Sequence, residues 1–191
     1  MSLTRQLIPA YTQMLEALSS WLSKAEAQLG ADKGEALLRA RLIEDMYPLA
    51  TQVRFTCLQA YEMAQRLKGE ALSPVTQILT EEGRQGGDNP GTLNDAQARL
   101  HAAIAALKAV PDTDLDGEET REIAIDLPNG MIFDMTGEAY ARDWAVPQFY
   151  FHLMIAYAIL RAGGVDLGKA DYVGHVFKYL RPGTMPGASQ G

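Results

Sequence analysis

The chain has 191 residues, of which 47% are hydrophobic, 21% charged and 8% aromatic. That is an ordinary globular composition, with length enough for one domain to bury its own core without disulfides or metal staples. Seventeen basic against 24 acidic residues leave a net charge of -7, and no basic stretch interrupts the balance, which argues against nucleic acid or an anionic membrane as a partner. The single cysteine, Cys57, excludes an internal disulfide and any multi-cysteine metal centre. The N-terminal apolar pattern is broken by Pro9 and Glu16, and no uncharged, wholly apolar run of about 18 residues exists, so neither a signal peptide nor a transmembrane helix is expected. A cytoplasmic location follows as the expectation.

From Leu3 to about Leu29, apolar residues recur at steps of three and four (Leu7, Tyr11, Met14, Leu15, Leu18, Trp21, Leu22), which is one face of an amphipathic helix. Pro9 predicts a bend or a start in its first turns, and Gly30 a C-terminal cap. A second helical pattern runs from near Glu35 to Gly69 through Leu38, Leu42, Met46, Leu49, Val53 and Cys57, with a break or kink expected around Tyr47-Pro48. Ser73-Pro74 reads as a cap with proline at the first helical position, opening two turns through Leu79, and the glycines from Gly83 to Gly91 as a loop. Thr92 with Asp95 three residues on predicts a capped helix that stops before Pro111.

The period then changes. Ile123, Ile125 and Leu127 alternate with polar residues, as do Met131, Phe133 and Met135, around Pro128-Asn129-Gly130, which reads as a β-hairpin. A short helix from about Glu138 to Ala145 is expected next, then a strong one from Pro147 through Arg161, ended by Gly163-Gly164. The fold class predicted is mainly α, an antiparallel four-helix bundle with a small inserted hairpin, in one domain over 1–181 with a flexible tail over 182–191.

Two local motifs resemble binding loops and fail on context. Asp112-Thr113-Asp114-Leu115-Asp116-Gly117 starts like a calcium loop, but the twelfth position is Ile123 where a bidentate glutamate is needed. Gly163 to Lys169 has phosphate-loop spacing, but Ala170 replaces the magnesium hydroxyl and a helix precedes it where a strand is required. Cys57 lies on an apolar face, as inert thiols do, and neither His101 nor His175 falls in a catalytic motif. His152 is different. It sits mid-helix one turn after Gln148, and Gln52 on the second helix, flanked by Leu49 and Val53, could face the same interior. Such a trio reads either as a hydrogen-bonded buried histidine or as a poor metal site.

Pro147-Gln148-Phe149-Tyr150-Phe151-His152, Ala156-Tyr157-Ala158-Ile159-Leu160-Arg161 and Gly168-Lys169-Ala170-Asp171-Tyr172, together with Asp45-Met46-Tyr47-Pro48-Leu49 and Gln52, resemble a bacterial domain-of-unknown-function family. That family is related to the DinB/YfiT-like metalloenzyme superfamily. The resemblance implies a four-helix bundle, a homodimer, and a metal held by one histidine of the second helix and two of the last. Those positions fall here near Gln52 and at Gln148 and His152, so two of three ligands are amides, poor substitutes for imidazole at zinc or nickel. No cofactor is therefore expected, with a divalent metal as the alternative. The expected function is a small-ligand-binding or interaction protein with a degenerate metal site, its pocket formed by Gln52, Gln148, His152 and Tyr157. The alternative is a metal-dependent thiol transferase or isomerase-like enzyme, and whether the protein catalyses anything stays open at this point.

Overall fold

A computed structural model describes residues 2–184; the expected tail lies outside them from residue 185 onward. Helix α1 spans Leu3–Leu29. It begins ahead of Pro9, because Ser2 accepts from the Arg5 amide and Asp116 accepts from the Thr4 amide and from the hydroxyls of Ser2 and Thr4. Those bonds satisfy the first-turn donors. Gly30, at φ +82°, ends α1 with its amide on the Glu26 carbonyl.

The pattern expected from Glu35 with a break or kink at Tyr47-Pro48 is broken there, but the break reaches back to residue 38 and separates two helices, α2 (Ala31–Leu37) and α3 (Leu49–Leu67). Pro48 stands at the N-cap of α3 in extended backbone. The segment closes on itself through Leu49 N–H to Ala40 O and Ala50 N–H to Leu38 O, both 3.0 Å, which satisfy amides that a new helix start leaves free. Helix α4 (Pro74–Arg84) runs past Leu79 and takes in Gly83, placed above in a loop. The Phe55 ring occupies the space a side chain at 83 would need, so glycine serves close helix packing here and not a turn. Helix α5 (Leu93–Lys108) opens with the reciprocal Thr92–Asp95 cap.

Strands β1 (Glu122–Asp126) and β2 (Ile132–Thr136) form an antiparallel hairpin in register Glu122↔Thr136 to Asp126↔Ile132. Gly130 adopts φ +86° in the turn, which a side chain would resist. The short helix expected to end at Ala145 does not end: α6 (Gly137–Ala139), a π-helical segment over Tyr140–Ala145 and α7 (Val146–Ala162) run on as one rod. The Val146 amide bonds the carbonyl of Ala141, five residues back. Helix α8 (Lys169–Tyr172) and a 3₁₀ turn over Gly174–Tyr179 follow.

The four long helices α1, α3, α5 and α7 form the bundle. Gln52 and Glu62 of α3 lie beside His152 and Tyr140, so α3 and α7 are antiparallel. Gln97 bonding Ser19 and Lys108 pairing with Glu16 make α1 and α5 antiparallel as well. Tyr11 on Phe149 and Trp21 on Tyr157 show α1 and α7 running the same way. It follows that α3 and α5 also run the same way, and the long connection through α4 permits that parallel pairing, which a short loop could not. Tyr11, Trp21, Tyr140 and Phe149 are fully buried between the helices. Among the described residues no helix is long and apolar enough to cross a membrane.

Candidate functional site

Helix α3 is enclosed by α4, α5 and α7, so its polar residues must find partners inside the protein. Thr51 donates to the Gly83 carbonyl at 2.7 Å and Thr56 to the Gln52 carbonyl at 2.7 Å. The Arg54 guanidinium bonds the carbonyls of Ala50 and Pro90 and lies 3.5 Å from Glu82. Each of those residues is buried; the Thr51 bond and the Arg54–Glu82 pair tie α3 to α4, the Arg54–Pro90 bond ties it to the loop before α5, and the others stay within α3.

Gln52 reaches in the other direction. Its Nε2 donates to the Tyr47 carbonyl at 3.2 Å, and its Oε1 lies 2.9 Å from Nδ1 of His152 on α7. The first bond spends the amide's donor end and so turns its oxygen to the imidazole. On this hydrogen-bond assignment Nδ1 carries the ring proton and Nε2 holds the lone pair. Burial pushes the His152 pKa down to about 4, which keeps the ring neutral at physiological pH.

An aromatic wall surrounds the pair. Phe55 and Phe151 meet His152 edge-on at centroid distances of 5.2 and 5.3 Å, and Tyr47 meets Phe55 edge-on at 5.7 Å. Phe151 and Tyr47 are also open to solvent, at 57% and 50% exposure. Gly83 of α4 leaves the space that holds the Phe55 ring in place. Phe55 was not singled out from the sequence, although its place three residues after Gln52 on one helix face is a signal that could have found it; the Tyr47 carbonyl, being backbone, left none.

The structure thus brings Gln52 and His152 together. Gln148 is half-buried one turn before His152 and is not hydrogen-bonded to either. Tyr157 lies about 140° further around α7, against Trp21 of α1 and Tyr172 of α8, away from Gln52.

The donor set does not fit a divalent metal. The oxygen of Gln52 is engaged by His152 N–H, which makes Gln52 an orienting partner for the imidazole and not a second ligand beside it. Among the described residues no group of three or more His, Cys, Asp or Glu side chains could hold a metal. The acidic 112–117 loop is committed elsewhere, Asp114 to Lys68 and Asp116 to Ser2 and Thr4. In the glycine-rich 163–170 segment Gly163 and Gly164 end α7 and turn the chain, and Val165 and Leu167 enter the core. Cys57 is buried and its thiol is pushed up to about 12, which leaves it without nucleophilic character.

Fold and pair together describe a four-helix bundle with one histidine–glutamine pair bridging α3 and α7. The chain belongs to the family described as Domain of unknown function (DUF1993), which it matches over residues 3–173. Its fold is similar to the crystal structure of a DinB family member protein from Shewanella denitrificans, with 27% identity, a TM-score of 0.71 and 96% of each chain covered. No curated protein matches the chain.

Proposed function

We propose that this DinB-related protein binds a small molecule at the His152–Gln52 pair, on a bundle whose metal-ligand positions have become degenerate. The observation that carries the reading is the fixed state of His152. A neutral imidazole oriented by Gln52, with no protein partner at Nε2 among the described residues, offers a hydrogen-bond acceptor beside exposed aromatic rings. A ligand suited to it carries one donor, a hydroxyl or an amide N–H, on an apolar or aromatic body that packs on Phe151 and Phe55.

A homodimer belongs to the same reading. Helix α7 has no Asp, Glu, Lys or Arg between Val146 and Leu160, yet Phe151 and Met154 are 57% and 41% exposed. A helix apolar on all sides is ordinarily covered, and a second copy would cover this one around a two-fold axis.

Long-range ¹H–¹⁵N spectra of the histidine rings test the proposal during titration with benzamide. The expected result is an unprotonated Nε2 resonance for His152 that shifts on titration, and loss of binding in His152→Ala. A protonated Nε2, or binding indifferent to the substitution, would refute it. Stoichiometric zinc or nickel in untagged protein would restore the metal-dependent transferase or isomerase reading.

A further inference from the structure

A cavity of about 530 Å³ opens on another face of the bundle, where the start of α1 meets the π-helical segment. Its floor is apolar: Leu3 and Leu7 of α1 and Ala141 of the π segment are 9%, 7% and 4% exposed, with Val146 beside them. Ala141 and Val146 are the two residues joined by the five-residue hydrogen bond, so the widened turn itself forms one wall. Such turns recur at ligand sites, and the volume is that of a small-molecule pocket.

The rim sets the charge of the occupant. Glu119 and Glu138 stand there with Arg142. The Arg142 guanidinium is held by Asp143 through two bonds of 2.9 and 2.7 Å, and lies farther from Glu138, at 3.7 Å. Its positive charge is therefore shared, held mainly by Asp143 and more loosely by the Glu138 ion pair, while Glu119 makes no ion pair among the described residues. Two carboxylates against one shared guanidinium leave the rim net negative over an apolar floor, and the chain's net charge of -7 adds to the same field. We infer that this cavity binds a small organic cation, an amine on an apolar body, with the body on Leu3, Leu7 and Ala141 and the ammonium between Glu119 and Glu138.

Titration of the full chain with 2-phenylethylamine, and separately with phenylacetate, followed by ligand-observed NMR, tests the inference. The amine is expected to bind in the millimolar range, as its size allows, and the acid about tenfold or more weakly. Glu119→Gln with Glu138→Gln, two changes at the cavity rim, should weaken amine binding about tenfold and erase the preference. Ala141→Phe should fill the cavity and abolish binding, with a retained cooperative melt showing that the chain still folds. His152→Ala should leave amine binding unchanged, which separates this cavity from the pair on α3 and α7. Equal affinity for amine and acid, no detectable amine binding, or binding that the double glutamine variant leaves intact would overturn the inference.

Discussion

The His152 imidazole makes the stability of this protein depend on pH in a window that can be worked out in advance. Burial lowers its pKa from the ordinary 6.5 to about 4 in the folded chain. Between those values the unfolded chain takes up a proton that the folded chain refuses, so stability falls as pH falls. The contribution is complete above about pH 7 and is lost progressively towards pH 4. Linkage for this one group gives a loss of about 2 kcal/mol between pH 7 and pH 5, and about 3 kcal/mol by pH 4. Carboxylates and other histidines titrate over part of the same range, so the measurement is a difference. Urea unfolding of the wild type and of His152→Gln at pH 7, 6 and 5 should show the wild type losing about 2 kcal/mol more than the variant. Parallel pH dependences in the two proteins would refute the reasoning, as would a His152 pKa near 6.5 measured by NMR.

His152→Leu should cost about 1–3 kcal/mol at neutral pH, because the Gln52 oxygen loses its donor inside the protein; a neutral result in chemical denaturation would mean that water replaces the ring without loss. Gly83→Ala should cost about 1–3 kcal/mol and move the His152 ring resonances, since a methyl there displaces Phe55. Gly137→Ala should cost about 2 kcal/mol or more, because its methyl would collide with the Glu118 carbonyl in the main chain; an unchanged melting temperature would count against the packing described. Light scattering should give twice the chain mass, and Phe151→Glu a monomer. A chelator should leave the melting temperature where it was.

How far the sequence could be read depended on the distance over which each feature is determined. The Thr92–Asp95 cap and the Gly130 turn are settled within a few residues, and both were legible. The 38–48 segment misled because Leu38, Leu42 and Met46 recur at helical spacing, although only Leu38 is fully buried and Leu42 lies at the surface. Spacing alone cannot tell an apolar loop residue from an apolar helix face. Gln52 and His152 were legible as a pair because each lies on an inward helix face. Tyr157, five residues on, was grouped with them although the helical pitch carries it to the α1 side. The π-helical segment left no trace in the sequence pattern, because its extra residue per turn answers to packing at both of its ends. The Asp116 bonds to Ser2 and Thr4 join positions more than 110 residues apart, beyond the reach of any local pattern.

The π-helical turn over 140–145 also absorbs a residue without changing the phase of the rod. Upstream of it, Gly137 must press against the Glu118 backbone; downstream, His152 must face Gln52. A π turn holds one residue more than the α turn it replaces, and one residue corresponds to about 100° of rotation along a helix. Deleting that one residue would let the segment relax into continuous α-helix with both ends still in phase, whereas deleting one from α7 ahead of His152 would swing one end against the other by that angle. Gly137 and His152 keep their places only in the first case, so a residue can be lost from these six with less consequence than from the α-helix on either side.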